Sequence, residues 1–186
     1  SRESILLTVN DIIPMKLAPQ RAPVTGGSTI SIDTNLTDVL CVFEGVGSSK
    51  AVPSAQGLRC ACPQADRPRT VDVTLVDAAD GLQRSSSTPF AFYALPVVGG
   101  VAPAVVGDGD TVTISGSEFP AGRARCRFGS KVVVESLQVW PEGLRCAVPP
   151  RHRDEESGAS RSVEVAFEGG AFMSARTSIA HVLRPP

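Results

Sequence analysis

The sequence predicts an all-β protein built as two tandem antiparallel β-sandwiches. Three observations lead there. Gly57-Leu58-Arg59-Cys60-Ala61 returns unchanged as Gly143-Leu144-Arg145-Cys146-Ala147, and a Cys-x-Phe precedes each copy, at Cys41-Val42-Phe43 and Cys126-Arg127-Phe128. A repeat of about 85 residues therefore organises the chain. Short runs alternate apolar and polar residues between Gly, Pro and Asp turns, the pattern of half-buried strands, and no stretch carries helical periodicity.

Taken in order, Ser4 to Val9 reads as a short strand, followed by a break from Asn10 to Pro14. Pro89 to Leu95 before Pro96, and Ser178 to Leu183 before Pro185-Pro186, have the same form. Residues 1–10 are thus expected to be the closing strand of a preceding repeat, 11–96 a first domain and 97–186 a second, in a fragment of a longer tandem array. In the first repeat, Thr25-Gly26-Gly27 makes a turn, since glycine takes positive φ freely. Ser28 to Asp33 then alternates with Ile30 and Ile32 inward. Val39 to Phe43 places Val39, Cys41 and Phe43 on one face, and Leu58 to Cys62 turns Cys60 inward. Thr70 to Val76 alternates with Val71, Val73 and Leu75 inward, Asp77 to Ser87 is a polar hairpin loop, and Phe90 to Leu95 closes the domain.

The second repeat follows the same plan. Ala102-Pro103 matches Ala18-Pro19, and Asp108-Gly109-Asp110 replaces the Gly-Gly turn. Thr111 to Ile114 is a strand, and Ser115 to Phe119 is expected to turn. Ala124 to Phe128 carries Cys126, Lys131 to Val139 is expected to hold a pair of strands, and Leu144 to Val148 carries Cys146. Val163 to Phe167 alternates, Glu168 to Ala171 turns, and Ser178 to Leu183 closes.

Composition narrows the class. A fifth of the residues are charged but the net charge is -1, with no basic face, so nucleic acid and anionic membranes are poor partners. No apolar run is long enough to span a bilayer, so this stretch inserts no helix of its own. A domain of half this length buries only roughly 60% of its unfolded surface, so a covalent staple helps it. Four of the 5 cysteines stand at equivalent positions of the two repeats, 19 residues apart in one and 20 in the other. They read as one disulfide per repeat, Cys41–Cys60 and Cys126–Cys146, each contributing about 3 kcal/mol in the chain-entropy model. Disulfides persist in oxidising compartments, which places the chain outside the cell or at its surface. The alternative is four reduced, buried cysteines in a cytosolic protein.

These residues resemble the IPT/TIG family of immunoglobulin-like domains, found in plexin- and Met-type receptors, fibrocystin-like proteins and protist and algal surface adhesins. The second repeat carries the likeness best: Gly109-Asp110-Thr111-Val112-Thr113-Ile114-Ser115-Gly116, then Phe119, Cys126-Arg127-Phe128-Gly129 and Cys146-Ala147-Val148-Pro149-Pro150. The first repeat departs from it, with Asp33-Thr34-Asn35-Leu36 in place of Ser-Gly-x-x-Phe. The resemblance implies an ectodomain module acting in adhesion or recognition, gamete adhesion among the possibilities. Its partner would be a protein on another cell or neighbouring repeats of the same array. Intracellular family members bind DNA or dimerise; the cysteine pairs and absent basic face argue against that version.

The remaining candidate positions are few. Asn35-Leu36-Thr37 is an N-glycosylation sequon in a turn. Cys62 is the unpaired cysteine, two residues past Cys60; it fills a core space where the second repeat has Val148, or exchanges with Cys41, or bonds another chain. Arg151, His152 and Arg153 open a charge-rich loop that is either solvated or a contact loop. Asp108, Asp110 and Glu118 supply too few oxygens for calcium and read as turn residues; His152 and His181 lack metal-ligand spacing. Trp140 and Tyr93 suit packing better than ligand stacking. With no nucleophile elbow, phosphate loop or paired carboxylates, the sequence predicts no catalytic residue, metal or cofactor. The expected function is non-catalytic surface adhesion or recognition. The rivals are a spacer or shaft repeat of an extracellular filament and an intracellular binding scaffold.

Overall fold

The alternating runs do become strands, because only a β-strand puts every second side chain on one face. The computed structural model describes residues 12–130, 132–150 and 159–182, and within these the chain is all-β. The strand expected over residues 4–9 lies outside them. The chain divides into two units, Ser1–Phe92 and Tyr93–Pro186.

In the first unit, β1 (Leu17–Ala18), β3 (Thr29–Ile32), β7 (Gly57–Ala61) and β6 (Val52–Ser54) form one sheet in the order β1-β3-β7-β6. The second sheet runs β2 (Arg21–Pro23), β9 (Thr88–Tyr93), β8 (Arg69–Asp77), β4 (Val39–Phe43) and β5 (Gly47–Lys50). The chain changes sheet repeatedly. It does so around Pro19, whose peptide bond is cis, between β1 and β2. It does so again at Ala51, buried between β5 and β6, whose N–H donates to Val39 O at 3.0 Å. Between the sheets lies a core of Ile30, Ile32, Val39, Phe43, Leu58, Val73, Leu75 and Phe90, each at most 3% exposed. Phe90 meets Phe43 and Phe92 edge-on, with centroids 5.5 and 5.1 Å away, geometry worth about 0.5–1.5 kcal/mol per pair beyond area burial.

The second unit repeats this plan. β10 (Val97–Ala102), β12 (Thr111–Ser117) and β15 (Gly143–Ala147) form one half; β13 (Ala124–Phe128), β17 (Val163–Phe167) and β18 (Met173–Ser174) form the other. β14 (Val132–Trp140) joins them. β11 (Val105–Val106), β19 (Ile179–His181) and β16 (Ser160–Arg161) complete the unit as a short sheet. The Ala102–Pro103 peptide, between β10 and β11, is also cis. Ile114, Leu144, Val165 and Ile179 are wholly buried, and Phe119 packs on Phe167 with centroids 5.0 Å apart.

Two local expectations are corrected. Ser115 to Ser117 is not a turn: β12 continues to Ser117, which pairs with Val97. Gly116 makes this possible, because a Cβ there would collide with Val97 O and with the ring of Phe119 folding back into the core. The turn falls instead at Glu118, whose φ is 59°. The region Lys131 to Val139 is not a pair of strands but one. Its first part pairs with β13, a bulge falls between Ser136 and Gln138, and its last part pairs with β15. The bulge re-aims the strand from one sheet to the other, the task Ala51 performs in the first unit.

Phe90→Ala should remove the centre of the first core and cost about 3–5 kcal/mol. Urea denaturation followed by a probe specific to that unit measures it; a midpoint unchanged from the parent would refute this account of the core.

Candidate functional site

Cys41 sits mid-strand on β4 and pairs with Leu75 and Ser49, while Cys60 sits on β7 opposite Ile30. Their strands belong to different sheets, so the Cys41–Cys60 disulfide crosses the core, with Cα atoms 6.3 Å apart. Cys126 on β13 and Cys146 on β15 are joined in the same way, Cα to Cα 6.4 Å. All four sulfurs are buried. The alternation of each strand sets this. In Val-Leu-Cys-Val-Phe and Ala-Arg-Cys-Arg-Phe the first, third and fifth residues point inward, so Cys and Phe are delivered to the core together.

Cys62 is free and buried, immediately past the end of β7. Its N–H donates to Ser28 O at 2.7 Å, and its carbonyl accepts from Gly27 at 3.0 Å. Val148 makes the matching pair of bonds, to Asp110 O at 2.7 Å and from Gly109 at 3.1 Å. The thiol therefore occupies a valine's place, and burial pushes its pKa up to about 11. A protonated, buried thiol is a poor nucleophile for exchange.

Other candidates fall apart in space or serve the backbone. Asn35 is exposed in the loop between β3 and β4. Arg151, His152 and Arg153 lie outside the described residues, and His181 is on β19. Asp110 Oδ2 accepts from Gly107 N at 2.8 Å, a turn-holding bond. Among the described residues, no three potential metal ligands cluster. Tyr93 donates its hydroxyl to Glu168 O at 2.9 Å, and the Trp140 ring lies against Gly143, where a Cβ would stand 2.6 Å from it. Both aromatics are packing groups.

Two surface features stand out that sequence reading left unresolved. The first is the hairpin from Asp77 to Ser87. Asp77 Oδ1 accepts from Ala79 N at 2.9 Å and Asp80 N at 3.3 Å, and Arg84 bridges Asp77 and Asp80 at 3.1 and 2.6 Å. These bonds hold the Asp77 carboxyl below its ordinary range: the backbone donors first, then Arg84. Ser85, fully buried, accepts from Leu75 N at 2.8 Å and anchors the far side. The loop presents Leu82, 47% exposed, from a fixed frame. The second unit has only a tight turn at Glu168-Gly169 here.

The second feature is on the outer face of the β13–β17 pair. Arg127 Nε donates to Glu164 Oε2 at 2.5 Å, and its guanidinium lies 4.2 Å from the Phe172 ring centroid; Arg125 stands 5.6 Å from the same ring. The mutual hydrogen bond lowers the Glu164 carboxyl and raises Arg127. That Arg125 and Arg127 face outward follows from Cys126 facing in. Their aromatic partner, 45 residues beyond Arg127, has no local signal.

No family model and no curated protein matches the chain. Solved structures do. The plexin A4 extracellular region, domains 1 to 8, matches at 12% identity over 90% of this chain, with TM-score 0.39. This chain spans about a quarter, 26%, of that region. SGBP-B of the Bacteroides ovatus mixed-linkage glucan utilization locus, solved with a mixed-linkage heptasaccharide, matches at 17% over 94% of this chain and 47% of its own, TM-score 0.37. Domains 4 and 5 of the S-layer protein SbsC match at 12% over 93% of this chain and all of theirs, TM-score 0.31. Likeness at this level transfers no role.

Replacing Cys126 and Cys146 together by alanine should destabilise the second unit by about 2–5 kcal/mol and leave the first folded. Separate unfolding transitions in calorimetry check this; equal loss in both units would contradict it. Cys62 should resist alkylation in the folded protein at neutral pH and react on unfolding. Because its folded pKa, about 11, lies above the reference value of 9.0, its contribution to stability is full below pH 9 and lost as pH rises towards 11. Cys62→Val should abolish that part of the alkaline loss, measured as urea midpoints across this pH window.

Proposed function

We propose that the chain is a non-catalytic recognition module of the cell surface, two IPT/TIG-like domains from a longer adhesive array. The observation that carries this reading is the disulfide buried across each core. Such bonds persist where the environment is oxidising, and they stiffen a small sandwich enough to hold loops in place. Among the described residues, the groups with shifted ionisation serve the structure. Asp77 holds a turn, Arg127 and Glu164 hold each other, and Cys62 fills the core, so none is poised as an acid, base or nucleophile. The Asp77–Ser87 hairpin, rigid and tipped by exposed Leu82, is the contact element this reading favours, with a protein on another cell as partner. Neither nucleic acid nor a cofactor enters the reading.

A second reading, a spacer repeat binding its own neighbours, draws on how the start of each unit is tied to the segment that leads into its last strand. In the first unit Thr88 Oγ1 donates to Met15 O at 3.1 Å, and Met15 N donates to Ser86 Oγ at 3.1 Å. In the second, Val101 N donates to Thr177 Oγ1 at 2.7 Å, and Arg176 N to Gly99 O at 2.8 Å. Such closure suits a unit that must be stacked many times.

The test is intact mass of the protein from its native cells, alkylated without reduction. Four cysteines blocked as two pairs, with one that reacts only on unfolding, is the expected result. Five alkylatable thiols would overturn the extracellular reading and leave an intracellular scaffold. With the pairs present, sedimentation at rising concentration separates the two surface readings: a monomer fits recognition of another protein, self-association fits the spacer.

A further inference from the structure

We infer that Asn35 carries an N-linked glycan, an inference that rests on the extracellular reading above. The chain has two asparagines, and of these only Asn35 has a hydroxyl residue two positions on; Asn10 is followed by Asp11-Ile12. The sequon Asn35-Leu36-Thr37 lies wholly in the loop between β3 and β4. Within it the exposures alternate: Asn35 out, Leu36 half-buried against the first core, Thr37 out. The N–H of Leu36 donates to Thr34 Oγ1 at 3.2 Å, which fixes the bend. Among the described residues, no hydrogen bond occupies the Asn35 carboxamide.

This arrangement suits the modification chemically. The carboxamide nitrogen attacks the anomeric carbon of a lipid pyrophosphate-linked oligosaccharide. The new C–N bond replaces the C–O bond to pyrophosphate, the amide gives up one proton, and the lipid pyrophosphate leaves. The Thr37 hydroxyl supplies the second recognition element the sequon requires. A sugar added before folding would not hinder it, because Leu36, not Asn35, enters the core. The site is also placed to shield. Ala78 N donates to Asp38 O at 3.0 Å, so the end of this loop is bonded to the start of the Asp77–Ser87 hairpin, and the glycan would stand at the hairpin's end of the unit.

The experiment is peptide mapping of the full-length protein from its native cells, with and without peptide-N-glycosidase, alongside the thiol measurement. The expected result is an Asn35 peptide seen only after enzymatic release and carrying the deamidation that release leaves. In a secreting eukaryotic cell, T37A should abolish the glycan and T37S retain it, and N35Q should abolish it. Paired cysteines with an unmodified Asn35 peptide would overturn this inference and leave the extracellular reading standing. Free thiols with an unmodified peptide would overturn both.

Discussion

The alternation of side chains along two strands in each unit governs the rest of the structure. A cysteine on β4 and another on β7 meet only if both strands turn the same parity inward, and likewise for β13 and β15. A slip of one residue on either strand would send the cysteine, its neighbouring Phe or Leu, and every second residue to solvent. The bond therefore works as a lock on register as well as a limit on the unfolded chain. Phe43 and Phe128, two residues beyond the first cysteine of each pair, are buried for the same reason.

Much of this was legible because the repeat doubles each signal. Val163–Phe167 and Val39–Phe43 have the bounds that their alternation marks out. The inward residues Ile30, Ile32, Val73 and Leu75 are wholly buried. What escaped was set by partners distant in sequence. Leu17–Ala18 and Arg21–Pro23 are too short to show a period, and exist as strands because β3 and β9 bind them. The extension of β12 through Gly116 depends on Phe119 and Val97 approaching a bare backbone. The single crossing strand β14 looked like two because a bulge interrupts its period. At the surface, Asn35 and the hairpin could be placed in loops, but the Arg84 bridge and the Arg127–Phe172 stack could not.

The two units share the crossing disulfide, the Phe two residues past its first cysteine and the inward Leu beside its second, and differ more outside. Where the second places Arg125 and Arg127 on the outer face, the first has Leu40 and Val42; where the first builds a braced hairpin, the second makes a tight turn. A scaffold whose core and brace are held constant can change its surface at little cost in stability, since exposed substitutions away from special features usually alter it by only about ±0.5 kcal/mol. The outer-face and hairpin differences between the repeats thus leave the crossing disulfide and the Phe beside it unchanged.

The crossing of strands from sheet to sheet has a further consequence. In each sandwich the chain crosses from one sheet to the other, at Ala51 in the first unit and along β14 in the second. An open sheet edge is a template for the backbone of any similar chain, and in a tandem protein the most similar chain is the adjoining repeat, tethered at high local concentration. In the first unit the edge strands β1, β2, β5 and β6 run only 2 to 4 residues, which limits the backbone they offer for such pairing.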